Sequence, residues 1–189
     1  MKYTLGQIAE TVNGKLCGDP DITVTGVAID SRLIKDNELF VPVIGERVDG
    51  HTFVRGLFEK GIEASFWQKG IEGMPDSGNI IIVDNTIAAL QKLAARYRKD
   101  LGITIVGITG SSGKTSTKDL VASVLSQKYR VHKTDGNKNN DIGVPLTLLS
   151  IQPETELAVI EMGILDPDTF SQEQDSFWAK MATGKTGLV

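Results

Sequence analysis

The spacing of apolar positions changes several times along the chain, and each change marks a structural element. Leu5, Ile8, Ala9 and Val12 recur at helical intervals behind Thr4, a residue type that caps helix N-termini. A short helix is therefore expected there. Residues 22–29 alternate and are rich in β-branched side chains, which predicts one strand. Residues 38–43 predict another, with Pro42 suited to an edge position. Phe53, Leu57 and Phe58 give a second helical spacing, and residues 80–83 form a short apolar strand. Asp84 or Asn85 can then cap a helix carrying Ile87, Leu90, Leu93, Ala94 and Tyr97 on one face. Lys92, Arg96, Arg98 and Lys99 crowd its C-terminal half, where the helix dipole favours cations, and Gly102 ends it.

Beyond this helix the order becomes strand, glycine-rich turn, helix, strand, loop, short helix, strand. Residues 103–108, 129–132 and 157–162 read as the strands, and residues 115–126 as a helix with Leu120, Val121, Val124 and Leu125 inward. Such alternation predicts a parallel sheet with right-handed crossovers. The expected organisation is a small α/β domain over 1–84, a connecting helix over 85–102 and the first part of a parallel-sheet domain over 103–163. A tail of different character follows over 164–189. Three strands with few helices leave an open edge, so the first domain is expected to be stable and the second marginal. In the tail, Phe170, Phe177, Trp178 and Met181 suit a short helix starting near Asp168. Its Thr183-Gly184-Lys185-Thr186-Gly187 echoes a phosphate loop but follows no predicted strand.

Composition narrows the possibilities. Of 189 residues, 40% are hydrophobic, enough for a packed core. The formal net charge of −4 argues against nucleic acid as the main partner, which a basic face would bind. Cys17 is the only cysteine, so neither an internal disulfide nor a cysteine zinc cluster is available, and a buried thiol is expected. No stretch approaches the length of a bilayer span, and the N-terminus lacks a signal-peptide core. No membrane insertion and a cytoplasmic location are the expectation.

Candidate chemistry centres on Thr109-Gly110-Ser111-Ser112-Gly113-Lys114-Thr115, between an apolar strand and an amphipathic helix. Gly110 and Gly113 allow a tight turn and close approach to a polyphosphate. Loop amides and the helix N-terminus then face the anion. Lys114 offers charge to the β/γ-phosphates, and the Thr115 hydroxyl can hold Mg²⁺. The strict G-x-x-x-x-G-K-[ST] spacing is not met, because its first glycine falls at Ile108. Glu161, at the C-terminal end of a predicted strand, is the candidate carboxylate for the metal. Asp119 reads as a solvated or capping charge. His51, in an Asp-Gly-His turn, and His132, in a strand, have no partners suited to acid–base or metal work. Asn137, Asn139 and Asn140 offer neutral donors and acceptors to a diphosphate or sugar, although asparagine equally favours turns. Pro145 suits the first turn of a helix beginning near Val144.

The run from Gly107 to Thr115, followed by Thr117-Lys118, resembles the ATP loop of the Mur ligases, which build the peptide of bacterial peptidoglycan. Residues 134–149, with the asparagine cluster, narrow the likeness within that family. Asp30-Ser31-Arg32 and residues 45–53 are similar to its uridine-nucleotide domain. The resemblance covers about residues 1–163 and implies a UDP-substrate-binding domain followed by part of a P-loop ATPase domain. It implies ATP binding by Gly110, Ser111, Ser112, Gly113, Lys114, Thr115 and Ser116, with Lys114 catalytic and Mg²⁺ on Thr115 and Glu161. Ser31 and Arg32 lie near the uridine nucleotide on this reading, and Asn137, Asn139 and Asn140 face substrate. The implied reaction is ATP-dependent amide formation, joining D-alanyl-D-alanine to UDP-N-acetylmuramoyl-tripeptide through an acyl phosphate.

After Gly163 the motifs of the family are no longer recognisable, and its members are more than twice this length. The expectation is an N-terminal portion without turnover of its own. Two other readings stand beside it: a non-catalytic nucleotide- or UDP-sugar-binding fragment, and an unrelated P-loop NTPase. Asn137–Asn140 and Asp30-Ser31-Arg32 speak against the last.

Overall fold

The computed structural model describes residues 1–163 and 186–188. The chain divides into two compact units, Met1–Leu93 and Ala94–Val189.

In the first unit, Thr4 opens helix α1 (Leu5–Val12) with a reciprocal cap: its side chain accepts from the Gln7 amide, and the Gln7 side chain accepts from the Thr4 amide. Leu5, Ile8, Ala9 and Val12 are all buried, as the spacing requires. A five-stranded sheet runs in the order β2 (Lys15–Cys17), β7 (Asn79–Val83), β6 (Ala64–Gln68), β5 (Glu38–Phe40), β4 (Gly26–Ala28). Only β2 is antiparallel to its neighbour; the other pairings are parallel. Phe40, Trp67 and Ile80 pack with Val54 and Leu57 of helix α2 (Val54–Glu59). Helix α1 lies against β2 and β7.

Three expectations are corrected in this unit. Residues 22–29 do not form one strand: Thr23–Val24 is β3, paired antiparallel with β1 (Tyr3–Thr4), whereas Gly26–Ala28 joins the main sheet. The chain thus changes sheets at Thr25. Strand β5 is internal rather than an edge; Pro42 lies beyond its end at Phe40, where it removes no ladder bond. The Pro42 carbonyl accepts instead from the Thr86 hydroxyl at 2.7 Å. Cys17 is half-buried on the outermost strand, not enclosed.

Helix α3 (Thr86–Leu101) contains the division between the units. Asn85 caps it by accepting from the Ala88 amide. Leu90, Leu93, Ala94 and Tyr97 are buried, while Ile87 is only half-buried.

In the second unit a wholly parallel sheet has the order β11 (Thr186–Leu188), β8 (Thr104–Ile108), β10 (Leu157–Glu161), β9 (Val131–Lys133). Among the described residues the sheet therefore has four strands, not three. Thr186 and Gly187, read above as a loop echo, belong to a strand that covers the outer edge of β8. The helix expected from Asp168 lies outside the described residues. Helix α4 (Lys114–Leu125) covers one face of the sheet, and Ala122, Val121 and Leu125 meet Ile108, Val159, Val106, Val131 and Leu157. Leu120 and Val124, expected inward, are 68% and 71% exposed. The helix is rotated so that its inward stripe includes Lys118 in their place. Helix α5 (Gly143–Leu149), with Pro145 buried in its first turn, also packs on β10.

Candidate functional site

The phosphate-loop segment lies between β8 and α4, at the C-terminal end of the sheet. Gly110 has φ 143° and Gly113 φ 75°, backbone conformations that side chains with a Cβ rarely adopt. Gly113 is the N-cap of α4 and contributes no side-chain cap, so the first-turn amides of this twelve-residue helix face the loop. The Lys114 ammonium folds back to donate to the Gly110 carbonyl at 2.7 Å and closes the loop. Ser111, Ser112, Thr115 and Ser116 are exposed along it. The arrangement offers amide donors, a helix N-terminus and one cation to a polyanion.

Glu161 is opposite Ile108 in the β8–β10 register, one residue before the loop begins. The Met162 amide donates to the Ile108 carbonyl and ties the two strand ends together. Because side chains alternate along a strand, Glu161 shares the α4 face with Leu157 and Val159. It is 1% exposed. Its Oε1 accepts from Asn139 Nδ2 at 2.8 Å, and its amide donates to the Thr134 hydroxyl at 2.8 Å. Its Oε2 is buried without a hydrogen-bond donor. The nearest cation is the Lys118 ammonium at 3.7 Å, itself 2% exposed and donating to the Gly136 carbonyl at 3.3 Å.

The asparagine loop serves two roles in this geometry. Asn139 holds Glu161 through its side chain and accepts from the Gly163 amide through its carbonyl, at 2.6 Å. The Asn140 side chain caps α5 by accepting from the Gly143 amide at 2.7 Å. Asn137 is exposed. Asp119 is neither free nor a helix cap: it accepts from Lys133 at 2.7 Å, and that bond, with Lys118 nearby, holds its carboxyl below the ordinary range. His132 contacts Ser150, and burial lowers its basicity.

Among the described residues no three His, Cys, Asp or Glu side chains cluster to hold a metal ion. A buried carboxylate oxygen without a donor, together with the exposed Thr115 hydroxyl in the same unit, nevertheless fits magnesium. That ion takes few protein ligands and completes its shell with phosphate and water.

In the first unit, Arg32 forks onto Asp30, with Nε to Oδ1 at 2.9 Å and a terminal nitrogen to Oδ2 at 2.7 Å. This side-chain bond, reinforced by the Arg32 amide, brings the Asp30 pKa down to about 2. The carboxylate's contribution to stability is thus present above the ordinary pKa of about 3.9 and disappears as pH falls through about 2. A carboxyl NMR titration of Asp30 with its midpoint near 4 would contradict this. Ser31 is half-buried beside the pair. His51 is structural, as the sequence suggests. Its Nδ1 contacts Asp49 at 2.5 Å, and its Nε2 accepts from the Gln68 amide at 3.0 Å, so no ring nitrogen is left for proton transfer.

The motifs of the sequence give no role to Lys118 or Thr134. A signal was present for the lysine: position 118 stands at helical spacing with Val121, Ala122 and Leu125, and a lysine in such a stripe needs a buried partner.

Two family descriptions match the chain, "Mur ligase family, catalytic domain" over residues 23–98 and "Mur ligase middle domain" over residues 108–177. The chain belongs to the Mur ligase family. The second match runs to residue 177. This Mur ligase chain is 46% identical over 166 residues to the UDP-N-acetylmuramoyl-tripeptide–D-alanyl-D-alanine ligase of Bacillus subtilis, covering 87% of the chain and 36% of that protein. To the ligase of the same name in Escherichia coli it is 42% identical, covering 86% and 35%. A crystal structure of MurF from Acinetobacter baumannii superposes with a TM-score of 0.79 at 31% identity, over 87% of this chain and 36% of that one. MurF from Thermotoga maritima, in complex with ADP, gives 0.71 at 31% identity, over 82% and 35%. The chain thus spans little more than a third of the length of these relatives. No described helix is long and apolar enough to cross a membrane.

Proposed function

We propose that this chain carries the UDP-substrate part and the ATP-phosphate part of a ligase that joins D-alanyl-D-alanine to UDP-N-acetylmuramoyl-tripeptide. The observation that supports this most is the phosphate loop beside the open Oε2 of Glu161, in a chain 46% identical to a ligase of that name. On this reading residues 1–84 hold the UDP end, with Ser31 and Arg32 near the nucleotide, and residues 103–163 begin the ATPase domain. Gly110 to Ser116 cradle the ATP phosphates. The γ-phosphate passes to the terminal carboxylate of the tripeptide, and the amine of D-alanyl-D-alanine then attacks the acyl phosphate, releasing phosphate. Lys114 offsets the charge that develops on the transferred phosphoryl group. Thr115 and Glu161 would hold Mg²⁺, which supplies further charge neutralisation at the phosphates. Asn137, Asn139 and Asn140 lie on the substrate side of that site. Reaction with a nucleotide-borne precursor would take place in the cytoplasm.

A second reading, nucleotide and UDP-sugar binding without turnover, rests on the same phosphate loop and on the Asp30-Ser31-Arg32 segment. Both readings predict saturable binding of ATP with Mg²⁺ and of UDP-N-acetylmuramoyl-tripeptide, measurable by calorimetry. Absence of both would overturn them together. Phosphate release that requires both the tripeptide substrate and D-alanyl-D-alanine would select the complete ligase.

A further inference from the structure

The Lys118–Glu161 arrangement has an unusual geometry for a buried ion pair. Both side chains are almost wholly enclosed, yet nitrogen and oxygen stand 3.7 Å apart, beyond hydrogen-bond distance. The ammonium donates instead to the Gly136 carbonyl, and Asp119 Oδ1 also faces it at 3.7 Å. Asp119 is itself bonded to Lys133 of β9. Lys118 is therefore anchored by the asparagine loop and by its own helix rather than by the carboxylate. The carboxylate is gripped on its other oxygen by Asn139 and along its backbone by Thr134. Stability alone does not account for this lysine, since an apolar residue in the 118–121–122–125 stripe generally serves a core as well as a buried ion pair. What the arrangement achieves is a carboxylate whose charge is offset nearby and whose Oε2 lone pairs remain unused.

Resting on the reading of Glu161 as a metal ligand, we propose that Lys118 is its positioning residue: the buried ammonium, anchored on Gly136, holds the carboxylate in place and offsets its charge while leaving Oε2 open to an incoming divalent cation. Lys118 touches neither the nucleotide nor the cation on this proposal. It acts through Glu161 alone, much as an outer-shell partner orients a metal ligand.

The test compares the wild-type chain, Lys118→Met, Glu161→Gln and the double variant. Calorimetry reads the factor by which saturating Mg²⁺ tightens ATP binding. Glu161→Gln is expected to reduce that factor, and Lys118→Met to reduce it about tenfold, with metal-free ATP affinity unchanged within about twofold in both. The double variant is expected to match Glu161→Gln, because a residue acting through Glu161 has nothing left to act on. A Lys118→Met factor equal to or above wild type, or losses that multiply in the double variant, would overturn the proposal. An unaltered factor in Glu161→Gln would instead remove the metal-ligand reading, and the proposal with it. Melting temperatures give a readout even where Lys118→Met folds poorly. That variant leaves Glu161 buried with no lysine beside it, so adding Glu161→Gln should raise the melting temperature. A double variant melting below Lys118→Met would count against the pairing.

Discussion

Lys114→Ala is expected to weaken binding of ATP with Mg²⁺ about 10–100-fold, the effect of removing a hydrogen bond to a charged group. In turnover, where charge builds on the transferred phosphoryl group, loss of one such preorganised contact typically costs about 10²–10³-fold. The lysine is the first residue of α4, and its ammonium lies against the Gly110 carbonyl, within the loop that would surround the phosphates. Alanine removes the charge and unties the loop, but the helix itself remains, because alanine is an excellent helix former. Gly110 is only half-buried, so water can replace the lost donor to its carbonyl. The melting temperature should accordingly stay within a few degrees of wild type, and calorimetry should show the loss of affinity without unfolding. Unchanged affinity would remove Lys114 from the site.

Phe66→Ala should destabilise the first unit by about 3–5 kcal/mol, the usual range for deleting a buried aromatic ring. Phe66 is in β6, flanked by β5 and β7 near the middle of the five-stranded sheet, and is fully enclosed. Parallel neighbours on both sides hold the strand in register, so the sheet cannot easily collapse into the space the ring leaves. The loss should appear in the unfolding transition of the first unit, followed by urea titration with tryptophan fluorescence. Trp67 is adjacent in the same strand and buried, and reports on that unit. A change under about 1 kcal/mol would mean that the core repacks around the vacancy, contrary to the close packing of protein interiors.

Local signals were legible wherever one element decides its own geometry. The Thr4 cap, the buried face of α1, the glycines of the phosphate loop and the burial of Leu90, Leu93, Ala94 and Tyr97 all follow from spacing and residue type. Misreadings arose where a neighbour decides. Val24 and Val27 look like one alternating strand, but separate sheets claim them. Pro42 suggested an edge because the strand, expected to reach residue 43, ends at Phe40. Leu120 and Val124 looked like the inward face of α4 because an apolar stripe takes no account of a lysine turned inward to the Gly136 carbonyl beside a buried carboxylate. At the site, the loop and Glu161 were visible as types at the ends of elements. The partnership of Lys118, Gly136, Asn139 and Glu161 draws on three separate segments, and no local spacing records it.

The order of strands in the second unit also has a cost in time. Strand β8 finds no partner until β10 is available, about fifty residues later in the chain. At ordinary rates of protein synthesis, the apolar run Thr104–Ile108 waits roughly 3–10 s for its first backbone partner. Throughout that interval it can pair with the wrong edge, including that of another nascent copy. The amphipathic helix α4 is complete much sooner and can shield one face of the strand meanwhile. The phosphate loop between them is thereby formed as part of the earliest strand–helix hairpin, well before the carboxylate it would work beside has been synthesised.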